Sequence, residues 1–206
     1  MSSPGKLIVF EGADGVGKST LVGQTEALLK TGGVLFESYS FPGKEKGTLG
    51  WIVDQIQQDR NSFNLNGLTP LSLQALHIAA HLDHIEARIL PSLRRGTWVV
   101  LDRFWWSTWV YGIAENVDAT VLETLIRAEK QAWGSIVPSA LFLVSRTSSL
   151  RPEHSAEKHT VLSALYCSLG DQENQKHPVC TISHDTIDES VEVIRKELGK
   201  VGLPSM

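Results

Sequence analysis

The stretch that decides the fold of this chain is Gly12-Ala13-Asp14-Gly15-Val16-Gly17-Lys18-Ser19-Thr20. Its spacing, Gly-x-x-x-x-Gly-Lys-Ser, is typical of a loop that binds phosphates between a strand and a helix. The apolar run at residues 7–10 predicts a buried strand before the loop, and apolar positions recurring through residues 21–29 predict a helix after it. Strand, loop and helix in this order indicate a site for a nucleoside triphosphate.

The residues of this loop divide into those that hold phosphate and one that holds a metal ion. Glycines let the backbone wrap closely around phosphates, and the N–H groups at the start of the helix attract the anion. Lys18 is expected to reach the β- and γ-phosphates, and the hydroxyl of Ser19 is expected to ligate Mg²⁺. The predicted nucleotide-binding residues are Gly12, Asp14, Gly15, Gly17, Lys18, Ser19 and Thr20.

Length and composition narrow the class of protein. The chain has 206 residues, 42% of them hydrophobic and 20% charged, so we expect one domain over residues 1–206. Its net charge of −4 argues against a general nucleic-acid-binding protein. No apolar run approaches the ~20 residues of a membrane span, and no signal peptide is visible, so a cytoplasmic location is expected. Cys167 and Cys180 lie in no metal-ligand spacing and are expected to be reduced, buried thiols.

Strands and helices alternate along the chain, which predicts an α/β fold with a parallel sheet covered on both faces. Apolar runs that predict the further strands lie at residues 34–36, 98–101, 140–144 and 179–182. Thr69 and Pro70 are predicted to start a long helix that ends near residue 94, with a kink at Pro91. Ligands of such folds bind at the carboxyl ends of the strands, where the phosphate loop falls.

Three segments resemble the motifs of the thymidylate kinase family of P-loop nucleotide kinases. Residues 10–20 resemble its first motif, residues 41–44 are similar to its Phe-Pro-x-Arg segment, and residues 102–104 resemble its Asp-Arg-Tyr/His motif. The resemblance covers about residues 5–145. It implies a three-layer P-loop kinase fold with a five-stranded parallel sheet flanked by helices, and ATP- and Mg²⁺-dependent phosphoryl transfer to a nucleoside monophosphate. The implied acceptor is dTMP or a related or modified pyrimidine deoxynucleotide, and a homodimer is expected by analogy.

The resemblance also implies roles for four side chains around the acceptor. Arg103 resembles the family arginine that holds the acceptor phosphate, where a planar guanidinium gives bidentate contacts. Asp14 is similar to the aspartate that bonds the 3′-hydroxyl of the acceptor sugar, and Tyr111 resembles the tyrosine beside its 2′ position. Asp102, at the end of a predicted strand, is expected to hold Mg²⁺ directly or through water. The alternative for Asp102 and Arg103 is a structural ion pair between them.

The predicted acceptor pocket departs from the family pattern at its base-reading pair. His77 and His81 stand where the family has an aromatic residue that stacks on the base and an arginine that reads it. Residues four apart on a helix face the same pocket, but imidazoles reproduce neither a phenyl stack nor a guanidinium fork. Phe41 is predicted to bind the acceptor, and Lys44 stands where the family's Phe-Pro-x-Arg segment has its arginine. Lysine keeps the positive charge but should position the acceptor phosphate less firmly than a bidentate guanidinium does. The acceptor pocket is therefore predicted to be rebuilt.

Two clusters near this pocket carry alternative interpretations. His77, His81 and His84 share a helix face, which is also compatible with a zinc site or with histidines held by hydrogen bonds among the helices. Trp105 and Trp109 are one helical turn apart, and packing in the core is favoured over stacking on a substrate ring.

Residues 145–160 are polar and irregular, which predicts a mobile loop that acts as a short lid. Members of the family carry a catalytic arginine either in the phosphate loop or in the lid, and here the phosphate loop has none. The lid has only Arg146 and Arg151, with Lys158 as a weaker candidate. An arginine that stabilises the transferring phosphoryl group is worth ~10³-fold or more in rate, and we predict that Arg151 is this residue.

Two rival functions stay open on the sequence alone. A kinase for a hydroxyl acceptor, such as a deoxynucleoside, needs a carboxylate base, for which Glu37 is the candidate. A nucleotide-binding regulator that kept the phosphate loop and lost the lid would bind ATP with little or no phosphoryl transfer. The cationic side chains of Arg103 and Lys44 favour an acceptor that already carries a phosphate.

Overall fold

One sheet of five parallel strands carries the phosphate loop in the computed structural model, which describes residues 4–151, 155–184 and 186–204. The strands are β1 Leu7–Glu11, β2 Phe36–Ser40, β3 Trp98–Asp102, β4 Ala140–Ser145 and β5 Val179–Ser183. Their order across the sheet is β2-β3-β1-β4-β5, and every neighbouring pair is parallel. The predicted α/β fold with a five-stranded parallel sheet is confirmed.

Helices flank the sheet and connect its strands. In the described ranges the α-helices are α1 Lys18–Thr31, α2 Leu49–Gln58, α3 Pro70–His84, α4 Leu90–Arg94, α5 Trp105–Ala114, α6 Ala119–Trp133, α7 Ala156–Glu173 and α8 Ile187–Lys200, and a short 3₁₀ helix spans Asn61–Phe63. The α3 helix begins as predicted, because Pro70 lies in its first turn and the Thr69 hydroxyl accepts from the backbone N–H of Ser72 at 3.2 Å. None of these helices is long and apolar enough to cross a membrane.

The long helix is interrupted before Pro91 rather than at it. Between α3 and α4, Ile85–Ile89 form a π-helical turn, so the chain stays helical from residue 70 to residue 94. Pro91 has no N–H to donate to the preceding turn, and the widened turn ahead of it accommodates that loss. The irregular turn therefore lies directly before Pro91, and a kink at Pro91 itself stays a prediction.

The second strand extends beyond the apolar run that predicts it. The run at residues 34–36 only enters β2, which continues to Ser40 at the edge of the sheet. An edge strand is half open to solvent, so its later residues are polar and lack the apolar signal of a buried strand.

The irregular segment is shorter than the predicted lid of residues 145–160, because α7 already begins at Ala156. The Ser155 hydroxyl caps this helix by accepting from the backbone N–H of Lys158 at 3.1 Å. Residues 156–158, at the start of α7, are exposed and include no large apolar side chain, so the periodicity of apolar residues did not predict them. Residues 152–154 of the predicted lid lie outside the described residues.

The two cysteines are less buried than predicted. Cys167 is exposed on α7, and Cys180 is half-buried on the edge strand β5. The expectation of two buried thiols is therefore wrong, because the outer face of α7 and the edge of the sheet are open to solvent. Both thiols are free of disulfide bonds.

The tryptophans that follow β3 pack in the core. Trp105 and Trp106 are buried, and Trp109 is half-buried against the same apolar cluster. The ammonium of Lys130 on α6 lies 3.7 Å from the centre of the Trp105 ring, which is a cation–π contact. These contacts agree with packing as the role of Trp105 and Trp109.

Candidate active site

A cleft of about 520 Å³ opens at the carboxyl ends of β1, β2 and β3. Its walls come from the phosphate loop, the segment after β2, the α2, α3 and α5 helices, and the start of the lid. The predicted site residues that line the cleft are Asp14, Gly15, Gly17, Lys18, Ser19, Thr20, Phe41, Lys44, His77, His81, Asp102, Arg103, Tyr111 and Arg151. Of the predicted set, only Gly12 does not line it.

Two glycines of the phosphate loop hold positions that a side chain cannot take. Gly12 has a φ of 142°, and a Cβ there would lie 2.2 Å from the carbonyl oxygen of Val144. Gly17 has a φ of 95° at the start of α1, and a Cβ there would lie 2.4 Å from Cδ2 of His184. Both conformations favour glycine, so the motif allows the loop to pack closely against β4 and His184.

Lys18 is buried at the base of the loop. Its ammonium donates hydrogen bonds to the carbonyl oxygens of Gly12 at 2.8 Å and Ala13 at 2.7 Å. Burial, and after it the charge of Arg103, lowers the pKa of Lys18 to about 7. The positive charge is therefore incompletely compensated by the protein, and the phosphates of a nucleotide would supply the missing negative charge.

A buried carboxylate oxygen at the end of β3 lacks a protein partner. The Ser19 hydroxyl donates to Oδ2 of Asp102 at 3.3 Å, whereas Oδ1 of Asp102 is buried without a hydrogen-bond partner in the described part of the chain. Buried polar atoms are nearly always paired, so this oxygen marks a place for a ligand. Carboxylate and hydroxyl oxygens are the donors that Mg²⁺ prefers, and the two side chains fit a magnesium site.

Arg103 forms its ion pair with the phosphate loop. Its Nη2 group contacts Oδ1 of Asp14, and its Nη1 group donates to the Ser107 hydroxyl at 2.9 Å. The hydroxyl of Tyr111 donates to Oδ2 of the same Asp14 carboxylate at 2.7 Å. Among the described residues, the partner of Arg103 is therefore Asp14, and the alternative of an ion pair with Asp102 is wrong.

The pair of Asp14 and Arg103 is constrained in charge and in backbone conformation. Burial raises the pKa of Asp14, but the Arg103 charge and the Tyr111 hydroxyl outweigh it and lower that pKa to about 2. Arg103 has a φ of 78°, a left-handed conformation that costs a residue with a side chain ~1–3 kcal/mol. Such strain persists only where surrounding contacts fix it, as the contacts to Asp14 and Ser107 do here.

A buried carboxylate behind Arg103 has no role that the sequence predicted. Glu11 ends β1 without exposed surface, and its Oε1 accepts from the backbone N–H of Phe104 at 2.7 Å and of Ser107 at 3.0 Å. Its Oε2 accepts from the Ser107 hydroxyl at 2.8 Å. Burial raises the pKa of Glu11. The only signal in the sequence is an acidic residue at the end of an apolar strand.

His77 and His81 both line the cleft, but their rings differ in the contacts that they make. Nδ1 of His81 lies 2.8 Å from Oε2 of Glu129, and both side chains are buried. The His81 ring also stacks on Phe41, with the ring centres 4.0 Å apart. The His77 ring lies 6.0 Å from that of His81, and burial lowers the pKa of His77 to about 3, so this imidazole is neutral. His81 is therefore already engaged, while His77 presents a neutral ring.

The zinc-site interpretation of the histidines finds no support in the structure. Within residues 4–151, 155–184 and 186–204, no group of three or more His, Cys, Asp or Glu side chains is placed to hold a metal ion. His84 packs edge-on against Tyr39 and Phe41 and does not line the cleft. The hydrogen-bonded interpretation fits His81 with its Glu129 partner.

The start of the lid is bonded to the phosphate loop. The backbone N–H of Leu150 donates to the carbonyl of Gly15 at 2.8 Å, and the Ser149 hydroxyl donates to the carbonyl of Asp14 at 3.3 Å. Arg151 follows directly and lines the cleft with an exposed side chain. The lid thus brings one arginine to the phosphate loop.

The other two cations of the lid lie elsewhere. Arg146 donates from Nη1 to the carbonyl of His184 at 3.1 Å, and Lys158 is exposed in the first turn of α7. Neither side chain lines the cleft. Their positions leave Arg151 as the lid cation nearest to the predicted chemistry.

The candidate base for a hydroxyl acceptor also lies outside the cleft. Glu37 accepts from the Tyr39 hydroxyl at 2.6 Å and contacts the hydroxyl of Ser92. It does not line the cleft, so the suggestion that Glu37 acts as a base there is wrong.

Known proteins are similar to this chain in sequence. Residues 10–176 match the family model described as Thymidylate kinase. The thymidylate kinase of Bartonella quintana is 36% identical over 141 residues, which cover 68% of this chain and 62% of that protein. The thymidylate kinase of Chlorobium chlorochromatii is 31% identical over 170 residues, which cover 82% of this chain and 71% of that protein.

Coverage of these relatives is partial, whereas coverage of a solved structure is nearly complete. The chain spans 62% of the length of the Bartonella quintana protein and of the Akkermansia muciniphila thymidylate kinase, less than two thirds of each. The crystal structure of thymidylate kinase from Ehrlichia chaffeensis is similar with a TM-score of 0.73 at 24% identity, over 95% of this chain and 99% of that one. This similarity confirms the predicted P-loop kinase fold.

Proposed function

Because this chain belongs to the thymidylate kinase family, we propose that it transfers the γ-phosphoryl group of ATP to a nucleoside monophosphate. The acceptor is dTMP or a related pyrimidine deoxynucleotide, and the product is the diphosphate. The observation that carries the proposal is one cleft lined by Lys18, by Arg103 and by Asp102 with its unpartnered oxygen. The reaction needs two polyanions held in line, and these side chains offer cations and a metal ligand in one cavity.

The donor side of the proposal depends on the phosphate loop. The backbone N–H groups of residues 12–20 would hold the phosphates of ATP, and Lys18 would exchange its carbonyl partners for phosphate oxygens. The family generally uses ATP with Mg²⁺, and Ser19 and Asp102 are the side chains that would hold the ion. Held there, Mg²⁺ would neutralise part of the negative charge on the donor phosphates during transfer.

The acceptor side depends on Arg103 and its neighbours. Asp14 fixes one arm of the guanidinium, and Tyr111 fixes Asp14, so Arg103 is oriented before a substrate arrives. Lys44 lines the cleft as a second, exposed cation for the acceptor phosphate. An oxygen of that phosphate attacks the γ-phosphorus, and the bond from this phosphorus to the bridging oxygen of ADP breaks. A phosphate is already a nucleophile, so the reaction needs no carboxylate base.

The base of the acceptor would meet the α3 and α5 side of the cleft. The Thr108 hydroxyl is buried, lines the cleft and has no hydrogen-bond partner in the described part of the chain. His77 adds a neutral imidazole, and Gln74 lines the same wall. We propose that these three side chains contact the base, whereas His81 is held by Glu129 and forms an aromatic wall with Phe41.

The proposed function is tested by measuring ADP release with ATP, Mg²⁺ and a panel of acceptors. The panel holds dTMP, dUMP, dCMP and a 5-substituted dUMP, with the matching nucleosides as controls. Fast turnover with one of the monophosphates is the expected result. ADP release with a nucleoside and with none of the monophosphates would indicate a kinase for a hydroxyl acceptor. Absence of ADP release with every acceptor, although ATP binds, would favour a nucleotide-binding regulator.

Three further expectations remain proposals. Residues 1–206 are proposed to form one kinase domain, with the lid between β4 and α7. A homodimer is proposed by analogy with the family. A cytoplasmic location stays a prediction from the sequence.

A further inference from the structure

A hydrogen-bond network behind the acceptor side of the cleft converges on the hydroxyl of Ser107. This oxygen lies 2.9 Å from Nη1 of Arg103 and 2.8 Å from Oε2 of Glu11. The hydroxyl of Tyr166 lies 2.8 Å from the same oxygen. Glu11 and Tyr166 are 0% and 1% exposed and neither lines the cleft, so neither can touch a substrate held there.

The donors and acceptors of this network fit together in one arrangement when Glu11 is ionised. Arg103 can only donate, and the carboxylate of Glu11 can only accept, so the single proton of Ser107 goes to Glu11. The remaining lone pair of the Ser107 oxygen then accepts from the hydroxyl of Tyr166. All hydrogen-bonding capacity of the serine hydroxyl is used, which fixes its position.

The network holds one arm of the Arg103 guanidinium, and Asp14 holds the other. Nη1 donates to Ser107, and Nη2 contacts the carboxylate of Asp14. A guanidinium has five N–H donors in a rigid plane, so fixing both arms sets the direction of the remaining donors. Glu11 also binds the backbone N–H of Phe104, directly after the strained φ of Arg103.

We propose that Tyr166 and Glu11 are positioning residues for Arg103 and act on it through the hydroxyl of Ser107. The inference rests on the proposed function, because it requires Arg103 to hold the acceptor phosphate. Tyr166 lies on α7, the helix that follows the lid, so the network ties the acceptor arginine to the position of that helix. Phenylalanine would fill nearly the same volume at position 166, so the hydroxyl is the part of Tyr166 that this role requires.

The first test is steady-state kinetics of Tyr166→Phe with ATP and the best monophosphate of the panel. Loss of one buried hydrogen bond to Ser107 should raise the acceptor KM about tenfold, because Arg103 loses its fixed direction. The KM for ATP should stay unchanged. Tyr39→Phe is the matched control, since it removes a hydroxyl that binds Glu37 at 2.6 Å outside the cleft, and both KM values should stay unchanged.

A double-mutant cycle separates positioning of Arg103 from a general effect on packing. Tyr166→Phe should raise the acceptor KM in the wild-type background and should have no further effect in an Arg103→Ala background. An equal effect in both backgrounds would overturn the inference, as would a parallel rise in the KM for ATP. Thermal unfolding of each variant shows that the compared proteins are folded.

Glu11→Gln is the second variant. In the wild type the Ser107 hydroxyl donates to the carboxylate of Glu11, and the variant places an NH₂ group or a neutral amide oxygen there instead. It should raise the acceptor KM at least as much as Tyr166→Phe and should also show no further effect with Arg103→Ala. If the wild type phosphorylates a monophosphate and the acceptor KM is unchanged in both Tyr166→Phe and Glu11→Gln, this inference is wrong and the proposed function stands. Absence of wild-type turnover with every monophosphate overturns the proposed function and this inference with it.

Discussion

Asp14 of the phosphate loop forms an ion pair with Arg103 at the end of β3. The loop that would hold the donor phosphates is therefore joined directly to the arginine that would hold the acceptor phosphate. The carboxylate of Asp14 interacts electrostatically with two cations, Arg103 and Lys18, which line the same cleft. An acceptor that binds Arg103 does so on a guanidinium whose direction Asp14 and Ser107 already fix.

Arg103→Ala should raise the acceptor KM about 10- to 100-fold and lower kcat, because charge-assisted hydrogen bonds to a phosphate are worth ~1.5–3 kcal/mol. The KM for ATP should change little. Arg103→Lys should restore little of the loss, since an ammonium cannot contact Asp14, Ser107 and a phosphate in one plane. Steady-state kinetics with varied acceptor concentrations check both variants, and unchanged acceptor kinetics in Arg103→Ala would show that the acceptor site is assigned wrongly.

Asp102→Asn should raise the Mg²⁺ concentration required for half-maximal turnover about 10- to 100-fold. The substitution removes the negative charge beside Ser19 and replaces the unpartnered buried oxygen of Asp102 with a neutral amide. A Mg²⁺ titration of ADP release measures the effect. Asp83→Asn, at an exposed position of α3, is the control and should leave the titration unchanged. An identical Mg²⁺ requirement in Asp102→Asn and wild type would exclude Asp102 from the metal site.

The sequence predicted those parts of the site that depend on short stretches of chain. The phosphate loop and the positions of His77 and His81 on one helix face follow from local spacing, as does the Thr69 cap that starts their helix. Local spacing also explains why the strands, the helix after the phosphate loop and the helix that starts at Pro70 could be located. What the sequence could not give is the set of partners that folding brings to each side chain.

Glu11 and His81 show this limit in physical terms. The partners of Glu11 lie 93 and 96 positions along the chain, and the Glu129 partner of His81 lies 48 positions away. No periodicity relates residues at such separations, so the buried carboxylates carried no signal of their roles. The start of α7 was missed for a different reason, because residues 156–158 are exposed and include no large apolar side chain.

Lys18→Met should change the pH dependence of stability of the nucleotide-free protein. The pKa of Lys18 falls from 10.5 to about 7 on folding, so the unfolded chain binds more protons between these values. The destabilisation due to Lys18 is therefore complete below about pH 7 and disappears as the pH rises to about 10.5. The free energy of unfolding of Lys18→Met should exceed that of wild type most near neutral pH, and the difference should narrow at higher pH.

Urea unfolding at about pH 7 and about pH 9.5 measures this difference. Lys158→Met is the matched control, because Lys158 is exposed in the first turn of α7 and should show no narrowing. A difference between Lys18→Met and wild type that stays constant with pH would contradict a lowered pKa of Lys18.

Glu129→Ala should lower the free energy of unfolding by about 3 kcal/mol, because it leaves the buried His81 without its partner. Glu123→Ala on the same α6 helix is the control, and its exposed side chain predicts a change within ~0.5 kcal/mol. Chemical denaturation of both variants makes the comparison. A loss of stability no larger than that of the control would show that the contact of His81 with Glu129 adds nothing to the fold.

Arg151→Ala should lower kcat about 10³-fold and leave the KM values for ATP and acceptor within a few-fold of wild type. Arg151 lines the cleft directly after Leu150, whose N–H binds the carbonyl of Gly15, so the guanidinium is carried to the phosphate loop. A charge that stabilises the transferring phosphoryl group acts on turnover more than on binding. Lys158→Ala is the control, because this cation of the predicted lid is exposed and does not line the cleft. The rate of phosphoryl transfer in a single turnover is measured for both variants. A loss of this rate in Lys158→Ala, with the wild-type rate in Arg151→Ala, would show that Lys158 and not Arg151 is the catalytic cation of the lid.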